Sequence, residues 1–166
     1  MRNIVAFPVL GLAAILQSSI IGQIRLLSGY GDLLLIVLAA WALQERVESA
    51  WHWALVVCVL VGFISSMPWP VYVVGYLGVV FFAQVLQHRV WQAPLLAMFS
   101  VTIAGTLSMH LLSYGVLRIL GTPYSIGDVL GLITLPSLLI NMLFAIPVYT
   151  IMRDLARWVY PSEEFQ

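Results

Sequence analysis

From residue 130 to residue 152 the chain runs 23 residues without a charge, L-G-L-I-T-L-P-S-L-L-I-N-M-L-F-A-I-P-V-Y-T-I-M. Wound as an α-helix that is roughly 34 Å, enough to cross a hydrocarbon layer of about 30 Å. The character then changes at once to Arg153, Asp154, Arg157, Trp158 and Tyr160, residue types that suit a membrane–water boundary. Three residues inside the run, Pro136, Asn141 and Pro147, are not what a plain anchor needs. Steps of four pick out Ser137, Asn141, Ala145, Tyr149 and Arg153. Such a row winds slowly round a helix and makes a packing ridge, which faces this chain's own bundle in preference to a partner. The two prolines kink the helix or relax it locally. A helix of this kind leans on others, and the rest of the chain has to supply them.

It does so with little else. The 166 residues are 62% hydrophobic and 8% charged, with a mean hydropathy of +1.02, so the solvent implied is lipid. All seven basic residues are arginine, balanced by seven acids, which points to neither nucleic acid nor an acidic partner. A single cysteine, Cys58, excludes a disulfide framework or a thiolate metal site within one chain.

In chain order, residues 4–16 follow Met1-Arg2-Asn3 with the outline of a signal peptide. The apolar stretch continues through Gln17, Ser18 and Ser19 to Ile24 without a small-x-small cleavage site, so it reads as a retained first span. Residues 26–31 are a turn-prone link. Asp32 then stands before residues 33–43 as a helix N-cap. That run of 11 residues reaches only about 17 Å. It either extends into residues Gln44–Glu48 or begins below the surface with Asp32 buried at its mouth. Trp51, His52 and Trp53 suggest an interfacial cluster. A third short run, 54–67, stops at Pro68 and Pro70. The fourth span is 71–86, the fifth 95–117 after Trp91 and Pro94, and Asp128 precedes the sixth. Gly127 with Gly131, and Ser18 with Gly22, have the small-x-x-x-small spacing of close helix approach. The expected fold is therefore all-α: one domain, 1–166, an integral membrane bundle of six transmembrane helices, two of them short or partly re-entrant. Arg2, Arg46, Arg89, Arg153 and Arg157 on one side against Arg25 and Arg118 on the other put both termini in the cytoplasm.

No Asp, Glu, Lys or Arg falls in the middle of a span, which weighs against a proton pump or charge-coupled transporter. His88 and His110 fall at different depths and cannot share a haem iron as axial ligands, and His110 reads as a helix-packing hydrogen-bonder. Asn141 reads as an interhelical hydrogen-bonder. There is no phosphate loop, no metal-spaced acid set and no Ser-His-Asp trio at one depth, so no catalytic, cofactor or metal residue is assigned.

Two stretches carry a resemblance. One is L-Q-S-S-I-I-G-Q-I-R-L-L-S-G-Y-G-D-L-L-L, residues 16–35. The other is L-P-S-L-L-I-N-M-L-F-A-I-P-V-Y, residues 135–149, with R-D-L-A-R-W-V-Y-P after it. Together they resemble the first-span exit, outer link, second-span start and final helix of the rod shape-determining protein MreD family. The chain departs from many members in having Gly62-Phe63-Ile64-Ser65-Ser66, with serine where an Asp is common, and in lacking a Pro-x-Gly near Trp69-Pro70-Val71. The resemblance implies a non-enzymatic subunit of the bacterial cell-shape and peptidoglycan elongation complex in the cytoplasmic membrane. Its partners would be a bitopic MreC-like protein and, directly or through it, a RodA-type glycosyltransferase and a class B penicillin-binding transpeptidase. The candidate packing or partner residues are Gln17 and Asp32 in the first stretch and Pro136, Ser137, Asn141, Pro147 and Tyr149 in the second. The family is also considered similar in fold to the S-components of energy-coupling-factor vitamin transporters. That implies the alternative of a small-molecule-binding membrane protein, with a pocket near Asp32 and the Pro68–Pro70 loop.

Overall fold

The computed structural model describes residues 2–45, 47, 50–89 and 93–161, with backbone alone at Arg2, Asn3, His88 and Arg89. Arg46 and Trp91 lie outside the described residues, as do the side chains of Arg2, His88 and Arg89. Six principal helices follow one another: α1 (Ala6–Ser19), α2 (Leu33–Ala42), α3 (Ala50–Ile64), α4 (Trp69–Arg89), α5 (Pro94–Ile119) and α6 (Ile126–Val159). Four helical segments, Ala6–Gln23, α4, α5 and α6, are long and apolar enough to cross a membrane. This is a membrane protein. The second and third helices are shorter, at 10 and 15 residues.

The short α2 is the centre. Every residue from Leu33 to Ala42 is buried, and the other five helices all pack against it. A helix apolar on every face has no side to present to water, and it belongs where neighbours surround it. The outer helices show large apolar side chains outward, among them Phe63, Ile119 and Leu143 at 79%, 86% and 72% exposure. For a lipid-solvated bundle those are ordinary surface residues.

Between α1 and α2 the expected turn-prone link is a small antiparallel hairpin, β1 (Arg25–Leu26) and β2 (Gly29–Tyr30). Leu27 at its tip takes a positive φ of 54°. The last helix starts earlier than the uncharged run suggests. Ser125, rather than Asp128, is its cap: the Ser125 hydroxyl accepts from Asp128 N at 3.1 Å, and Asp128 lies in the first turn. A negative charge there favours the helix N-terminus. Residues Val129–Thr134 are wound as a π-helix immediately before Pro136, and Pro147 sits inside the helix.

Two packing expectations are corrected. Trp53 is fully buried and stacks on Trp41 with ring centres 4.1 Å apart, so only Trp51 and His52 of that cluster face outward. The helix starts at Ala50, and its first turn swings Trp53 inward. Nor do the small pairs mark close approach within the chain. A methyl group at Gly131 would meet nothing within 4 Å, and one at Gly22 would meet only the carbonyl of Gln17. The tight crossing lies elsewhere, at Gly105, where a methyl group would come within 2.8 Å of Val79.

Candidate functional site

Residues 28–32, from the hairpin turn to the start of α2, lie along α6, and three of their amides, those of Ser28, Tyr30 and Asp32, are satisfied by that helix. Pro136 has no N–H to offer the carbonyl of Leu132, one α-turn earlier. That carbonyl instead accepts from Ser28 N at 3.1 Å. Tyr30 N donates to the Ser137 hydroxyl at 3.0 Å, and Asp32 N donates to Asn141 Oδ1 at 2.8 Å. The match is metric. Alternate residues of an extended chain point their amides the same way, and 28 to 32 advances about 13 Å. Residues 132 to 141 of a helix advance about 13–14 Å. Every second amide of the strand therefore meets a new acceptor on the helix.

The opposite side of the segment is held by Gln17 from α1. Its Nε2 donates to the Gly31 carbonyl and its Oε1 accepts from Leu33 N, both at 2.6 Å. Asn141 is 1% exposed, and its Nδ2 donates onward to Thr106 Oγ1 on α5 at 2.9 Å. Close approach is obligatory here. A Cβ on Gly29 would sit 2.7 Å from both Pro136 Cβ and Ser137 N. Gln17, Asp32, Pro136, Ser137 and Asn141 thus converge on one backbone segment. Ser137, Asn141, Ala145 and Tyr149 are all buried, so the ridge faces the chain's own helices. Tyr149 lies farther along, hydrogen-bonded to Gln44. Pro147 also lies beyond the convergence.

Asp32 caps α2: its Oδ1 accepts from Leu35 N at 3.0 Å. Its Oδ2 accepts from the Tyr76 hydroxyl of α4 at a long 3.3 Å, and the Leu34 amide also bonds the carboxyl.

Asp32 opens onto a cavity of about 520 Å³, within the range of about 300–1,000 Å³ usual for small-ligand sites. Its lining comes from the C-terminal ends of α1, α3 and α5, the N-terminal ends of α4 and α6, and the hairpin. It therefore lies at the end of the bundle away from the start of α1 and the end of α6. Tyr72 and Tyr76 line it from one helix face with ring centres 6.2 Å apart and 17° between planes. The Tyr72 hydroxyl hydrogen-bonds Ser65, in the stretch where a carboxylate is common in the resembled family. Opposite them, the Tyr30 and His110 rings lie 5.9 Å apart, and His110 Nδ1 hydrogen-bonds the Thr134 hydroxyl at 3.1 Å. Tyr114 and Arg118 continue the lining toward the exposed end of α5.

The sequence reading found Asp32 but not the tyrosines. Tyr72 and Tyr76 share one face of α4 at a spacing of four, but Tyr30, Tyr114 and Tyr124 come from other parts of the chain and no spacing ties them to that pair. Among the described residues no group of three His, Cys, Asp or Glu side chains is placed to hold a metal ion. Comparison with family models, with curated proteins and with solved structures finds no match to this chain.

Proposed function

We propose that the protein is a non-enzymatic subunit of the MreD kind in the peptidoglycan elongation complex. It would reside in the bacterial cytoplasmic membrane with both termini inside, holding an MreC-like bitopic protein. Through that protein it would hold a RodA-type glycosyltransferase and a class B penicillin-binding transpeptidase. One observation carries the reading. The two stretches that resemble the family, more than 100 residues apart in sequence, are one hydrogen-bonded unit through Gln17, Asp32, Ser137 and Asn141. Residues shared with a family at such a junction are what a common bundle needs, since each satisfies backbone that lipid cannot. Affinity capture in mild detergent is expected to recover the MreC-like protein, and deletion of the gene to round the cells. Capture without that partner and unchanged cell shape would remove the reading.

A second reading, a small-molecule binder of the S-component type, is favoured by the cavity. It lies beside Asp32 and extends to Met67 and Tyr72, on either side of the Pro68–Pro70 loop. Native mass spectrometry of the purified protein tests it, a retained small molecule being the expected result and an empty protein the contrary one.

A further inference from the structure

We infer that the cavity beside Asp32 binds a methylated ammonium group, with the Asp32 carboxylate as countercharge and tyrosine rings as walls. The inference rests on the cavity itself and names a ligand class for the small-molecule reading. It does not depend on the scaffold reading.

Consider what each group around the cavity can accept. Asp32 is a half-buried carboxyl facing the cavity, with no cationic partner among the described residues. The chain has no lysine, and among the described residues the one ion pair is Arg153–Asp154, on α6 near its C-terminal end. Beyond the helix cap, the carboxyl is met by the Leu34 amide and the long contact from Tyr76. A carboxylate left this way in a low dielectric favours a positive charge next to it. An anionic ligand at this depth would meet repulsion. The walls agree in sign: the rings of Tyr30, Tyr72 and Tyr76 line the cavity, and aromatic quadrupoles attract cations, methylated ammonium ions above all.

A primary ammonium fits less well. It needs several acceptors at once, whereas the cavity wall beside Asp32 is largely aromatic and apolar, with Leu34, Tyr72, Tyr76 and Met109 among its lining. A methylated head asks only for one charge and apolar contact. Arg118 lines the same cavity but its side chain is exposed, at the far end of α5 about 12 Å of helix beyond His110. It is placed to meet the polar remainder of a ligand, whether a hydroxyl or a phosphate. The same headgroup chemistry occurs on free choline and on a choline phospholipid.

The test uses the full chain in nanodiscs of phosphatidylglycerol, which carry no ammonium, and reads heat of binding together with unfolding followed at the buried Cys58 thiol. Choline is expected to bind saturably. Its neutral isostere, 3,3-dimethylbutan-1-ol, should bind about tenfold more weakly or worse. Asp32→Asn keeps a side-chain oxygen for the helix cap and should lose the preference for choline. Tyr30→Phe should keep binding and Tyr30→Leu weaken it, because the Tyr30 contact to Ser137 is through the backbone. Nanodiscs containing phosphatidylcholine distinguish the sources. If they stabilise the protein through Asp32 while free choline does nothing, the occupant is a lipid headgroup. If choline alone acts, it is a soluble ligand. Equal binding of choline and the isostere, an Asp32→Asn protein that responds like the parent, or no response to either source overturns the inference. Capture of the MreC-like partner is measured separately, so either proposal can fail while the other stands.

Discussion

Replacing Asn141 by leucine removes two hydrogen bonds while keeping the branching of the side chain, and the consequences can be worked out atom by atom. Asn141 Oδ1 takes the Asp32 amide at 2.8 Å and Nδ2 gives to Thr106 Oγ1 at 2.9 Å. The amide's orientation is set, because Asp32 N can only donate. In Asn141→Leu the Thr106 hydroxyl can turn to a carbonyl of its own helix, but the Asp32 N–H has no other acceptor in the contacts described. An interhelical side-chain hydrogen bond in a membrane protein contributes about 0.6 kcal/mol on average and about 1.7 at most. A stranded buried amide adds about 1–3 kcal/mol. The expected loss is therefore about 2–3 kcal/mol, or roughly 4–12 °C in midpoint for a chain of this size. Thr106→Val removes only the second bond and is expected to lose about 0.5–1 kcal/mol. The chain's one cysteine supplies the assay, since Cys58 is buried and its labelling by a thiol-reactive dye on heating in detergent reports unfolding. A loss in Asn141→Leu no larger than in Thr106→Val would refute the reasoning, because it would mean that the Asp32 amide does not depend on Asn141.

Other expectations follow from the same junction. Gly29→Ala forces a methyl group to 2.7 Å from Ser137 N, where only backbone can yield, and should destabilise by about 2 kcal/mol or more. Gly131→Ala, with nothing within 4 Å, should change stability by less than about 0.5 kcal/mol. Equal effects in the thiol assay would contradict the packing. Gln17→Leu bares the Gly31 carbonyl and the Leu33 amide together, and should lower stability by about 2 kcal/mol or more. Thr150→Ala, which removes only an exposed bond to Ile146 on its own helix, should be close to neutral by the same assay.

Much of this junction is legible residue by residue. Asn141, alone among apolar neighbours, announces a hydrogen bond across helices because nothing else at that depth accepts an amide. Asp32 before L-L-L announces a cap. The ridge from Ser137 to Tyr149 follows from helical spacing, and all four of its members are buried. What the sequence hides is the partner of each. Thr106 looks like any small residue of α5, and Ser28 and Tyr30 belong to a stretch too short to show strand alternation. Trp53 misleads for a related reason. Beside Trp51 and His52 it reads as interfacial, and only the stacking partner Trp41, twelve positions earlier on another helix, explains its burial. The π-wound turn ahead of Pro136 has no sequence signal beyond the proline itself.

The extended segment has a consequence for length. A helix uses one residue for each 1.5 Å or so, whereas extended chain covers about 3.3 Å. Ten residues of α2 and the five of the dressed segment before it therefore reach about 31 Å, the same as the 21 residues of α4. A hydropathy profile counts residues and so understates the reach of such a stretch. The cost is that lipid cannot tolerate bare amides, so such a shortcut exists only where a neighbouring helix offers an oxygen at every second residue. In this chain the last helix is the template that lets the second one be short.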